Sequence, residues 1–162
     1  MSHGLAPGRR ALLRGASAMV VALALRASSA GAVVPGGGAE PDGFTLVVHA
    51  SNASTALTAD QVSRMFLRKL RTWPGGEQVM PVELADKSPA RKAFSKQVLG
   101  KDVAAMRGYW QQMIFTGKGV PPLEKASEAE VLAYVAATPG AIGYVSAGVE
   151  LPAGVKSVTL AR

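Results

Sequence analysis

The residues best placed to do chemistry are Ser88, Arg91 and the neighbouring cations Lys87 and Lys92, within the run Leu84-Ala85-Asp86-Lys87-Ser88-Pro89-Ala90-Arg91-Lys92-Ala93-Phe94. This run reads as a buried strand passing directly into a helix. Ser88 is a good N-cap, and Pro89 suits the first helical position, where a missing N–H costs nothing. Lys87, Arg91 and Lys92 then crowd a helix end whose partial positive charge disfavours cations by about 0.3–1 kcal/mol each. A bound oxyanion would explain the crowding, accepting from the Ser88 hydroxyl, the first-turn N–H groups and an Arg91 fork. The alternative is that the three side chains fan into water or pair with Glu83 and Asp86. A second candidate is the small polar loop Ser51-Asn52-Ala53-Ser54-Thr55, which follows the strand-like run Phe44 to Ala50. Ser51 and Asn52 then lie beyond the carboxyl end of a strand, where α/β folds bind ligands. As plain turn residues they fit equally well.

Other chemistries lack their residues. The chain has no cysteine and two histidines, His3 and His49. This excludes disulfides, thiolate metal sites, a cysteine nucleophile and a lipid-modified cysteine. His49 has no partners at metal-ligand spacing, and no S-x-x-K or G-x-S-x-G pattern supplies a nucleophile with its base. The glycine- and proline-rich segment Phe115 to Pro122 lacks the pattern of a nucleotide-phosphate loop. The sequence therefore argues for binding without catalysis and implies no cofactor.

The elements that must position these residues follow from periodicity and caps. Thr58 with Gln61 makes a capping box, opening a helix from Thr58 to Lys69 with Val62, Met65 and Phe66 on one face. Arg71 to Gly76 is a turn whose Trp73 covers the core. Val79 to Leu84 is the second strand, in which Pro81 interrupts one hydrogen-bonding edge. The Ser88 helix buries Phe94, Val98 and Leu99 and stops at Gly100. Asp102 caps the next helix, where Val103, Met106, Tyr109, Trp110 and Met113 recur at three- and four-residue steps as packing positions. Ser127 with Glu130 opens a fourth helix that Pro139-Gly140 ends. Ala141 to Val145 is wholly apolar, as a central strand covered on both faces would be, and Val155 to Leu160 is the last strand. This order predicts a three-layer α/β/α domain with a mixed, partly parallel sheet.

The first thirty or so residues read as a secretory leader. Arg9, Arg10 and Arg14 precede the apolar run Ala16 to Leu25, and Ala30-Gly31-Ala32 offers a small-residue cleavage site. The arginine pair fits a twin-arginine signal apart from the missing Ser or Thr before it, so either export route is open. Residues 1–32 are expected to be removed, 33–43 to form a Pro/Gly-rich tether, and 44–162 to form the domain. Without the four leader arginines the formal charge of +7 falls to about +3. With aromatics at 6% and no base-reading motif, nucleic acid is not expected as a partner. The mature protein is expected to be periplasmic or secreted.

Three segments, in order, resemble the exported phosphate-binding proteins that serve ABC transporters. Leu57 to Trp73 resembles that family's LTxxQLxxIFxGKIxxW segment, Ser88 to Phe94 its SGTRxxF anion loop, and Ser127 to Val145 its SxxEVxxYVxxTPGAIGYV ending. The resemblance implies one lobe of a type II periplasmic-binding-protein fold that binds phosphate or a similar oxyanion. By position it assigns Ser88 and Arg91 to the anion, with Ser51 and Asn52 as candidates from the first loop. It further implies membrane transporter components as partners. Pro89-Ala90 stands where the family has Gly-Thr, which removes one hydroxyl and one N–H. The chain is also about a hundred residues short of a two-lobed clamp. The competing expectation is a sensory or interaction module that keeps the fold and contacts a membrane receptor or transporter component.

Overall fold

The computed structural model describes residues 43–161. The expected leader, and the tether as far as residue 42, lie outside the described residues. Six strands form one sheet in the order β2-β6-β1-β5-β3-β4. They are β1 (Phe44–His49), β2 (Ala56–Thr58), β3 (Met80–Leu84), β4 (Leu123–Lys125), β5 (Ala141–Ser146) and β6 (Val155–Ala161). The helices are α1 (Ala59–Phe66), α2 (Pro89–Gln97), α3 (Val103–Phe115) and α4 (Glu128–Ala137). Among the described residues, no helix is long and apolar enough to cross a membrane.

The caps read from sequence form as expected. Thr58 and Gln61 close a capping box on α1, Ser88 caps α2 with Pro89 inside its first turn, and Asp102 and Ser127 cap α3 and α4. Two strands escape the sequence reading, β2 and β4. Each is three residues long at an edge of the sheet, paired to its neighbour on one side, so neither carries an apolar run. The first helix is also shorter than its apolar pattern predicts. It ends at Phe66 because Arg68 takes a left-handed conformation, φ 59°, and turns the chain away.

Direction within the sheet decides where the candidate residues lie. β1 runs antiparallel to both its neighbours, pairing Val48 with Ile142 and Phe44 with Ser146 on β5. β3 runs parallel to β5, with Met80 beside Ala141. The carboxyl ends of β1 and β3 therefore sit at opposite ends of the sheet.

β5 is buried along Ala141 to Val145. Its Tyr144 faces α1 and α2 in an aromatic group with Phe44, Phe66 and Phe94, the Phe94 and Tyr144 rings stacked at 4.1 Å. On the opposite face Gly143 lets α4 close in: a Cβ there would lie 2.8 Å from Val82 and 3.0 Å from Val131. Trp73 is buried and donates from Nε1 to the Gly140 carbonyl at 2.9 Å, tying the turn after α1 to the start of β5.

Candidate functional site

At the carboxyl end of β3 the chain turns through Ala85, Asp86 and Lys87 into α2. Ser88 accepts the Arg91 N–H at 3.4 Å, and its own N–H bonds to the Ala85 carbonyl at 3.0 Å. Pro89 has no N–H to give. Ala90 alone keeps a spare first-turn donor, and Ala90 is fully buried. The helix start thus offers a ligand its Ser88 hydroxyl and positive end but few open amides.

Arg91 points inward. It lies on the same helical face as Phe94 and Val98 and is only 4% exposed. Its Nη1 meets the Glu83 carboxylate at 2.5 Å and donates to the Tyr144 hydroxyl at 3.3 Å. The same hydroxyl accepts the Leu84 N–H at 3.3 Å, where the short β3–β5 ladder has ended. Burial pushes the Glu83 carboxyl above its usual range, against the opposing pull of the Arg91 charge. Burial also works against the Arg91 charge, yet the Glu83 carboxylate and Tyr144 hold that guanidinium above its ordinary value. Burial likewise raises the Tyr144 phenol. The three groups form one buried cluster in which the Glu83 charge neutralises Arg91 through Nη1, while Arg91 Nε is left without a hydrogen-bond partner.

Asp86 links this interior to the surface. Its carboxylate stands 3.9 Å from Arg91 Nε and pairs directly with the exposed Arg107 of α3. That hydrogen bond and the Asp86 charge raise the Arg107 pKa. Asp86, Lys87, Ser88 and Arg107 line an open cavity together with Ala85, Glu124 and Ala126. Two cations and two carboxylates leave its rim near neutrality.

The loop after β1 lies at the other end of the sheet. Ser51 is exposed, its hydroxyl 2.6 Å from His49 Nδ1, which also accepts the Ser51 N–H at 3.1 Å. Asn52 is buried; its Oδ1 accepts from the Ser54 N–H at 2.8 Å and its carbonyl from Lys156 Nζ. With Ser54, Trp73, Pro74, Gly75 and Glu77 they border a separate cavity of about 370 Å³. The structure therefore brings Ser88 and Arg91 together, and Ser51 with Asn52, but does not bring the two pairs to one site. An antiparallel β1 is the reason: its carboxyl end lies beside the entry to β5, away from α2.

Sequence reasoning passed over Tyr144 and Arg107. Arg107 gives no local signal, because Asp86 is twenty-one residues away. Tyr144 could have been suspected as the polar member of an otherwise apolar central strand. The Glu83–Arg91 pairing carries the clearest signal: an acid inside an apolar strand run, and an arginine in register with Phe94 and Val98.

A family model described as the PBP superfamily domain matches residues 41–160. No curated protein matches the chain. Among solved structures, an ABC-type phosphate transport receptor from Vibrio cholerae superposes with a TM-score of 0.56 at 19% identity, over 72% of this chain and 45% of that one. A putative phosphate ABC transporter substrate-binding protein with bound phosphate from Clostridium perfringens gives 0.58 at 24%, over 74% and 45%. PstS from Borrelia burgdorferi gives 0.55 at 13%, over 74% and 47%. The fold is shared with type II periplasmic binding proteins, and the chain spans under half the length of each of these structures.

Proposed function

This chain belongs to the PBP superfamily domain family, and on that premise we propose that it is an exported solute-binding lobe taking phosphate or a similar oxyanion at the α2 start, without performing a reaction. The observation that carries this reading is the meeting of Lys87, Ser88 and Arg107 on one open cavity at the carboxyl end of β3. Three donors of that kind suit a tetrahedral oxyanion. The anion would have to draw Arg107 from Asp86, so binding is expected to be weak. Arg91 holds the loop in place from inside instead of supplying a fork. Delivery to a membrane transporter is the role that the phosphate-binding structures above suggest, by analogy of fold.

Calorimetry of the protein against phosphate and sulfate tests the reading. Heat that saturates with phosphate and weakens on Arg107→Ala supports it. A second reading, a sensory or interaction module, is favoured by the Glu83–Arg91 pairing, which leaves the best anion ligand already neutralised. Absence of binding to either anion would make that second reading the better one. Export has its own check: mass spectrometry of secreted protein should place the N-terminus near Val33, and an intact Met1 or Ser2 would rule cleavage out.

A further inference from the structure

The end of α3 and the turn after it carry the most exposed large apolar side chains among the described residues. Phe115 is 92% exposed, Val120 61% and Ile114 54%. Their exposure is built in, because the turn is firmly held. The Thr116 hydroxyl donates to the Gln112 carbonyl at 2.8 Å, the Gly117 N–H to Ile114 at 3.0 Å and the Lys118 N–H to Met113 at 2.9 Å. A rigid apolar tip of this kind marks an interaction surface.

Cations rim it. Lys118 is exposed within the turn, and Arg68 and Arg71 share one cavity with Gly119 and Val120. Arg68 is the one described non-glycine residue with positive φ, at 59°. Glycine would hold that conformation without the Cβ penalty that an L side chain meets. An arginine kept at this helix stop, where glycine would serve, places a cation beside Val120. Glu77, the carboxylate nearest to Arg71 in sequence, lines the separate cavity with Ser51 and Trp73.

We infer that this end of the domain, formed by Ile114, Phe115, Lys118, Val120, Arg68 and Arg71, docks on an anionic phospholipid surface. Exposed Phe115 and Val120 stand with the cations Lys118, Arg68 and Arg71, which suits insertion at the boundary between headgroups and acyl chains with cations at headgroup level. Ile114 marks the edge of this surface, where it borders a cavity shared with Asp86, Arg107 and Glu124. The cavity containing Arg68 also includes Gln78 and Val79, which lead into the amino end of β3, whereas Ser88 follows its carboxyl end. Docking would thus leave the α2 start facing away from the bilayer.

Phe115→Trp in the full chain gives a direct readout. Trp73 and Trp110 are buried, so quenching by brominated acyl chains reports the introduced indole wherever the leader lies. Vesicles of phosphatidylcholine with phosphatidylglycerol should quench it, and vesicles of phosphatidylcholine alone should not. Arg68→Gly and Arg71→Ala should each lower the apparent vesicle affinity roughly fivefold. Arg68→Gly should do so without lowering the melting temperature, which separates lost docking from lost fold. Soluble phosphate should leave the quenching unchanged, distinguishing a lipid surface from the anion cavity. Quenching that ignores lipid charge would overturn the inference, as would no quenching at all. So would a concentration-dependent oligomer that Phe115→Ser dissolves, since the tip would then cover a second copy of this chain.

Discussion

The two ends of the sheet treat their polar groups in opposite ways. At the carboxyl end of β3, Glu83 and Tyr144 hold Arg91 Nη1 in the interior while its Nε stays without a hydrogen bond, and Asp86 and Arg107 continue the network to the surface. At the carboxyl end of β1, Ser51, His49 and Asn52 bond only with close neighbours and Lys156, around a loop that is largely in water. Apart from the Lys156 contact, bonds of the second kind can form in any chain that makes the turn. The bonds of the first kind exist only once β3, β5 and α2 have docked. The same residue types therefore carry different weight: an arginine is structural at one end, and a serine at the other is nearly free to change.

The sharpest way to break this contrast is Arg91→Ala, which strands Glu83 in the interior and should destabilise the domain by about 4 kcal/mol in denaturant melts. The loss should shrink in acid. Glu83 already has a raised folded-state pKa, and without Arg91 it would rise further. A group with a raised folded pKa contributes stability that is fully present below its unfolded pKa and is lost as pH rises through the folded value. The variant should therefore lie nearest to wild type at acidic pH and furthest at neutral pH. Replacing both partners, Glu83→Leu with Arg91→Met, should cost far less than Arg91→Ala alone, because no unpaired charge remains. If the double variant is the worse of the two, the pair is a true source of stability and not merely a mutual neutralisation.

Ile142→Ala probes the strand that both ends share and should cost about 3 kcal/mol, since Ile142 is fully buried. A change below about half a kcal/mol would mean that the two ends are not joined through a packed β5. Next in size comes Ser88→Ala, at about 1 kcal/mol for a lost cap, with some loss of phosphate affinity. Ser51→Ala should stay within about half a kcal/mol and leave phosphate binding alone. Equal effects of the two serines on affinity would show that both ends reach the ligand, against the geometry. Arg107→Ala, smallest of all in stability, should barely move the melting temperature, yet it should weaken phosphate binding about tenfold if the exposed guanidinium meets the anion.

Features set by local chemistry could be read directly from the residues. Ser88, Asp102, Thr58 and Ser127 cap their helices because the hydroxyl or carboxylate needs only an N–H two or three residues away. Ala141 to Val145 had to be central because, the Tyr144 hydroxyl apart, none of its side chains has a polar atom to offer water. β2 and β4 went unread because a three-residue edge strand takes its pairing from a neighbour instead of from its own pattern. The site was legible in its parts and not in its assembly: Ser88 and Arg91 stood out by spacing, and pairing Arg91 with Glu83 was already one of two local options. Only the tertiary structure chose between them, because the choice depends on whether the face of α2 carrying Arg91 turns toward the sheet or toward solvent. Strand direction settled the rest. The sign of the β1–β5 pairing leaves no trace in the residues of either strand, and it places Ser51 and Asn52 a full sheet length from the helix they were expected to assist.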